Sequence, residues 1–192
     1  MNKQQPGGFT LIELTISAAL MSLLAAVALN IGMESTRMVA FADADTQVQA
    51  EANRGFRRIS EVLRKTGWNT EPLTATTYPE IPAGNTELRM RMLADLDGNG
   101  FPFDEDTGDL EWDNTVFSVR FDAVNQTVAI YDPFGNQVML IARHVTAFSA
   151  STYLQDPTLN FNEIRLLVQV QQNGPRGELL SYTASGSVHM RN

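Results

Sequence analysis

The chain contains no cysteine among its 192 residues. Disulfide bonds, thiolate zinc sites and iron–sulfur clusters are therefore excluded. A domain of this size can bury an adequate core without disulfides. The lack of cysteine therefore does not exclude export to an oxidising compartment. Only two histidines occur, His144 and His189, and they lie far apart in sequence. Isolated histidines of this kind are more typical of surface or packing positions than of a metal site.

Positive charge is also scarce. The chain has 14 Lys and Arg against 22 Asp and Glu, a formal net charge of −8. One stretch accounts for the whole imbalance, because Asp95 to Asp113 holds eight acidic residues and no Lys or Arg. We call this stretch the acidic segment. General nucleic-acid binding needs a basic surface, so we expect no direct nucleic-acid partner and favour a local cation site.

One long apolar run is present, from Phe9 to Ile31, and Glu13 is its only charged residue. As a helix, these 23 residues would span about 35 Å, enough to cross a hydrocarbon core of about 30 Å. A secretory signal peptide carries its apolar region before the cleavage site, whereas here a polar leader, Met1 to Gly8, precedes the run. A carboxylate deep in a bilayer costs on the order of 2.5–3.5 kcal/mol. We therefore expect Glu13 to have a partner supplied by another subunit.

The residues Gly8-Phe9-Thr10-Leu11-Ile12-Glu13 resemble the processing and methylation signature of the type IV pilin and pseudopilin family. The resemblance implies that a prepilin peptidase cuts between Gly8 and Phe9 and N-methylates Phe9. It implies that Glu13 then pairs with the N-terminal amine of a neighbouring subunit. The implied partners are other pilin or pseudopilin subunits, the prepilin peptidase and an inner-membrane assembly platform.

The leader carries a single charged side chain, Lys3, at the N-terminal end of the span. The positive-inside tendency places this end in the cytoplasm. We expect a single-pass inner-membrane protein with its C-terminal domain in the periplasm, which enters a pilus or pseudopilus after assembly.

Helical periodicity continues beyond the span. Apolar residues recur at spacings of three and four at Val48, Ala52, Phe56, Ile59 and Leu63, which predicts a helix face packed on a domain. The sequence then predicts seven strands separated by turn residues: 86–93, 115–121, 127–131, 137–141, 145–153, 163–171 and 179–190.

These elements predict an α+β fold, in which a long N-terminal helix, membrane-spanning in its first half, packs on an antiparallel β-sheet. This is the pilin-like plan. The predicted divisions are a leader (1–8), a transmembrane and assembly helix (9–31), an amphipathic continuation (32–68) and a periplasmic or extracellular β-rich domain (69–192).

The acidic segment begins like a calcium loop. Oxygen-bearing side chains stand at positions 1, 3 and 5, and Gly100 follows at position 6 for the sharp turn. The residues that precede the loop predict a strand rather than a helix. We therefore expect a loop that resembles the calcium loop of an EF-hand but lacks the flanking helices of that motif. We expect a structural calcium ion, with these candidate ligands: Asp95, Asp97, Asn99, the carbonyl of Phe101, Asp104, Glu105 and Asp106.

The sequence does not favour catalysis. No Ser-His-Asp order, phosphate loop or dinucleotide fingerprint occurs, and the carboxylate pair Asp104 and Asp109 lies within the acidic segment without a pocket framework. We expect a structural subunit, a minor pilin of a type IV pilus. The alternatives are a minor pseudopilin of a type II secretion system and an adhesin-like module displaying Tyr78, Trp112 and Tyr153.

Overall fold

The computed structural model describes residues 10–66, 79–96, 98, 100 and 111–190, with the backbone alone for Trp112 and Asn114. Within these residues lie one helix and seven strands, and each strand is found where the sequence predicts it, to within three residues at either end. They are α1 (Leu11–Lys65), β1 (Glu87–Leu93), β2 (Trp112–Asp122), β3 (Thr127–Tyr131), β4 (Gln137–Ala142), β5 (Val145–Thr152), β6 (Glu163–Asn173) and β7 (Leu179–His189). The predicted α+β fold is confirmed.

The strands form two antiparallel sheets rather than the single sheet predicted. Strands β1, β2, β3 and β4 pair in sequence order, and β5, β6 and β7 form a second sheet. Strand β5 does not pair with β4, because a two-residue turn at Arg143 and His144 carries the chain into the second sheet. The alternation of apolar residues is the same in either arrangement, so the sequence pattern could not distinguish one sheet from two.

The strand residues that flank the acidic segment lie at the opposite end of the four-stranded sheet from the end of β4. β1 ends at Leu93, just before the acidic segment, and β2 begins at Trp112, near the end of the segment; these two residues are paired. Val128 of β3 pairs with Phe121 of β2 and with Ala142 of β4. Ala142 is therefore level with Phe121, at the opposite end of β2 from Trp112.

The chain divides into two compact units, Met1–Asp43 and Ala44–Asn192. In the second unit, the part of α1 from Ala44 onward packs on both sheets. Its face is buried at Val48, Ala52, Ile59 and Leu63, as the periodicity predicts, and Phe56 packs beside them. These side chains share one hydrophobic core with the inward residues of the strands.

The helix ends at Lys65, before the predicted boundary at residue 68. The amide of Thr66 donates to the carbonyls of Val62 and Leu63 at 3.2 Å each, and its hydroxyl donates to the Leu63 carbonyl at 2.8 Å. These bonds satisfy carbonyls that would otherwise lack partners in the last turn. Arg64 and Lys65 also favour a helix C-terminus.

Candidate assembly site on the N-terminal helix

The first turn of α1 is closed by a reciprocal pair of residues, Thr10 and Glu13. The amide of Glu13 donates to the Thr10 hydroxyl at 3.3 Å. In return, Glu13 Oε2 accepts the Thr10 amide at 3.0 Å and the Thr10 hydroxyl at 3.1 Å. This is a capping box, in which residues three apart satisfy each other's free backbone donors. Glu13 thus has a partner within its own chain, which the sequence analysis did not identify although the Thr-x-x-Glu spacing signals it.

Glu13 is nevertheless accessible to other molecules. Its side chain is exposed, and the capping bonds all use Oε2. A cationic group of another subunit can therefore approach the carboxylate while the cap persists. The processing residues Gly8 and Phe9 lie outside the described residues, so the cleavage site remains a prediction from sequence.

The part of α1 that follows Glu13, as far as Ile31, is apolar on all sides rather than amphipathic. Its most apolar 18-residue window has a mean hydropathy of 2.1, and none of that window is buried. Large side chains are exposed throughout, from Leu11 at 82 % to Ile31 at 65 %. The helix is long and apolar enough to cross a membrane, and its exposed side chains can be covered by lipid or by neighbouring helices.

The predicted calcium loop is described only in part. The Asp95 carboxylate accepts the amides of Gly98 at 2.7 Å and Gly100 at 2.9 Å. Gly100 has φ +88°, as the sharp turn at position 6 of a calcium loop requires. The other candidate ligands lie outside the described residues: Asp97, Asn99, Phe101, Asp104, Glu105 and Asp106. Among the residues described, no group of three His, Asp or Glu is arranged to hold a metal ion.

The acidic residues at the end of the segment hold backbone amides. Glu111 Oε2 accepts the amide of Leu96 at 2.6 Å, and Asp113 accepts the amide of Thr115 at 2.9 Å. Hydrogen bonds from the hydroxyl and amide of Thr115 lower the pKa of Asp113, because they stabilise the ionised carboxylate. Asp113 therefore remains charged at neutral pH.

The aromatic residues considered for adhesion do not form a described surface. Tyr153 packs against the core and against Phe161, with ring centroids 5.1 Å apart. Tyr78 and the side chain of Trp112 lie outside what the structure describes. Both histidines are exposed, in keeping with surface positions.

A family model, the prokaryotic N-terminal methylation motif, matches residues 4–29. No curated protein and no solved structure matches the chain. The matched residues include the predicted cleavage site, Thr10, Glu13 and most of the apolar run, and they coincide with the start of the exposed apolar helix. Over these residues the chain therefore carries the N-terminal hallmark of type IV pilin and pseudopilin precursors.

Proposed function

We propose that this chain is a minor structural subunit of a type IV pilus, processed by prepilin peptidase and assembled into the fibre through α1. The observation that carries the proposal is the position of Glu13, an exposed carboxylate on the first turn of a long apolar helix. In lipid such a carboxylate is costly, whereas an amine released by cleavage at Phe9 would compensate its charge. The contact between this amine and Glu13 therefore stabilises the assembled state.

The membrane serves as the reservoir for the subunit in this proposal. The leader lies in the cytoplasm, residues 9–31 cross the inner membrane once, and the β-rich domain lies in the periplasm. Exposed side chains from Leu11 to Ile31 contact lipid before assembly and neighbouring helices afterwards. The assembly platform transfers the subunit from one environment to the other, and both can cover apolar side chains.

The minor role is supported by the size of the region after the span. About 160 residues follow Ile31, and they include seven strands in two sheets. Major subunits of the resembled family are usually shorter than this chain, whose domain is relatively large, and this favours a minor subunit. The proposed role is structural, and catalysis forms no part of it.

We also propose that the acidic segment holds a structural calcium ion. The supporting observation is the pairing of Asp95 with the amides of Gly98 and Gly100, which folds the start of the segment back upon the Asp95 carboxylate. Calcium prefers six to eight hard oxygen ligands, and the acidic residues and carbonyls of the segment can supply them. Its effect is to offset repulsion among like charges.

Deletion of the gene for this protein in its host tests the proposal and distinguishes a type IV pilus from a type II secretion system. Surface pili, twitching motility and the secreted proteome are scored together. Loss of pili with normal secretion supports a pilus subunit. Intact pili with exoproteins trapped in the periplasm would instead assign the chain to a type II secretion pseudopilus.

A further inference from the structure

The outer edge of β7 is the one sheet edge that the described residues leave open. Strand β7 has 11 residues and pairs with β6 alone. Natural sheet edges are kept from pairing with other chains by short strands, charged residues, proline, bulges or covering segments. β7 contains no Lys, Arg, Asp, Glu or Pro, and its ladder with β6 keeps one register throughout. We call this open side of the strand the β7 edge.

The other three edges are each interrupted or covered by the same chain. At β1, Arg89 exchanges backbone hydrogen bonds of 2.8 and 2.9 Å with Glu80. Strand β4 has two irregularities in its pairing with β3, and the guanidinium of Arg58 donates to two of its carbonyls. At β5, the amide of Ala150 donates to the carbonyl of Asn85 at 3.0 Å. The β7 edge thus differs from its counterparts.

The register of the ladder shows which backbone groups face the β7 edge. The amide of Gly174 donates to the carbonyl of Glu178 at 2.7 Å, and the amide of Met190 donates to the carbonyl of Asn162 at 2.9 Å. Both pairs continue the register of β6 and β7, and hydrogen-bonded pairs alternate with unbonded ones in an antiparallel ladder. The even-numbered residues of β7 therefore bond to β6. The odd-numbered residues direct their amides and carbonyls outward, where no backbone group among the described residues bonds to them.

A cleft of about 640 Å³ lies between β7 and α1. Ser187 lines it from the strand, and Phe56, Arg57 and Arg64 are among the helix residues that line it. Ser187 is odd-numbered, so its outward amide and carbonyl lie at the border of the cleft. The ring of Phe56 lies against the strand, because a Cβ at Gly186 would stand 3.0 Å from Phe56 Cζ. A strand added at the β7 edge would therefore lie beside an aromatic ring.

The charge of this cleft favours an acidic occupant. Its lining contains three arginines and one carboxylate, Glu61. Arg54 already pairs with Glu51 at 3.1 Å. Arg57 and Arg64 are exposed, and neither forms an ion pair with a described residue. Because arginine binds carboxylates through charge-assisted hydrogen bonds, these two guanidinium groups can select a strand that carries Asp or Glu.

Extended segments of other proteins add to open sheet edges through main-chain hydrogen bonds, and the neighbouring side chains give specificity. We propose that the β7 edge receives an extended segment of a different subunit of the fibre, with a carboxylate directed to Arg57 or Arg64. The inference rests on the proposed function, since a minor subunit has other kinds of subunit as neighbours. It assigns strand addition as the mode of contact and needs no second copy of this chain.

Photo-cross-linking from the β7 edge tests this directly. The full-length chain carries Ser185→p-benzoylphenylalanine, at an exposed odd-numbered position, and is irradiated in its native host. Mass spectrometry then identifies the cross-linked peptides in sheared fibres. We expect at least fivefold more intermolecular product than with the same probe at Val124, which is 91 % exposed. The cross-linked segment should belong to another subunit and contain Asp or Glu.

Proline at an odd-numbered position blocks the β7 edge selectively. Thr183→Pro removes an outward amide without removing a bond to β6, and edge strands tolerate proline in this orientation. It should reduce the cross-link at least fivefold, whereas Thr183→Ala keeps the amide and should not. Melting curves of both full-length variants check that each is folded. An equal loss with Thr183→Ala would overturn the inference.

Charge reversal on the helix provides a variant that leaves the strand unchanged and decides the question if Thr183→Pro does not fold. Arg57→Glu replaces an exposed residue and should reduce the cross-link from position 185 at least threefold. Arg143→Glu, on the turn between β4 and β5 and outside this cleft, makes the same change in net charge and should have no effect. A cross-link that is insensitive to Arg57→Glu overturns the acidic occupant.

Each remaining result decides one point. Intermolecular product at the Val124 level, with the chain present in the fibre, overturns the inference and leaves the proposed function standing. Cross-links confined to a second copy of this chain overturn the assignment of a different subunit. Absence of the chain from the fibre overturns the proposed function and the inference with it.

Discussion

Gly55 of α1 lies against Ala142 of β4 so closely that a Cβ at Gly55 would stand 3.0 Å from the Cβ of Ala142 and 3.5 Å from Val168 Cγ1. Val168 belongs to β6, in the other sheet. The helix therefore rests where the two sheets meet, and the missing side chain at position 55 allows this approach.

Gly55→Ala should destabilise the β-rich domain despite the better helix propensity of Ala. The propensity gain is about 1 kcal/mol, whereas overpacking costs about 1–3 kcal/mol, and the Cβ of Ala142 is fixed to its backbone. We expect a net loss of up to about 2 kcal/mol in the free energy of unfolding. Denaturant unfolding of the variant measures it. Ala142→Gly in the same chain should recover part of the loss, and strict additivity of the two substitutions would contradict the close contact.

Two substitutions of Glu13 separate capping from intersubunit pairing. Gln preserves the capping box, because Glu and Gln both serve at this position, but it removes the charge. Leu removes both. We expect Glu13→Gln and Glu13→Leu to be inserted and cleaved normally and to be depleted from sheared fibres about tenfold alike. Quantitative immunoblots of membrane and fibre fractions give the measurement. If Glu13→Gln entered fibres as well as the wild type, the cap alone would explain the residue.

Removal of calcium should lower the melting temperature. A ligand at about 100 times its Kd stabilises by about 2.7 kcal/mol, which for a protein of this size corresponds to about 5–10 °C. Differential scanning fluorimetry with and without excess chelator measures the shift, and hydrogen exchange should rise in the acidic segment. Asp95→Asn serves as the control, because a chain without the site should be insensitive to chelator. An unchanged melting curve of the wild type counts against the calcium proposal.

Acid should destabilise the turn between β3 and β4 through Asp132. This carboxylate accepts the side-chain amide and backbone amide of Asn136 and the amide of Phe134, and these bonds lower the pKa of Asp132. A lowered folded-state pKa contributes stability that is complete above the unfolded pKa, about 3.9, and is lost as pH falls through the folded value. Asp132→Asn should therefore be less stable than the wild type at pH 7 and equal to it near pH 2. A stability difference that stays constant with pH would exclude this linkage.

Much of the fold could be predicted from sequence because its signals are local. Each of these signals acts over a few residues. They are turn residues such as Asp132, the alternation of apolar residues in strands, and the helical repeat at Val48 and Ala52. The division into two sheets could not be predicted, since it depends on the conformation of His144 and on backbone bonds between distant strands. The hydrogen bond from the Arg143 amide to Glu51 likewise joins residues 92 positions apart, and no local pattern indicates it.

The N-terminal site was predicted in a different way. Glu13 was identified from its cost within an apolar run and from the resemblance of its surroundings. Its reciprocal bonds with Thr10 needed only the three-residue spacing, so this part was within reach of sequence reasoning and was missed. The chemistry of Gly8 and Phe9 remains a prediction from the motif.

The most direct test of the central claim is mass spectrometry of the N-terminal peptide from sheared surface fibres of the native host. If the chain is a processed fibre subunit, the peptide begins at Phe9, carries one N-methyl group and is recovered with the fibres, whereas Gly8→Ala leaves the leader attached and the chain in the membrane. A chain that is absent from the fibres, or that retains Met1–Gly8 within them, would contradict the account.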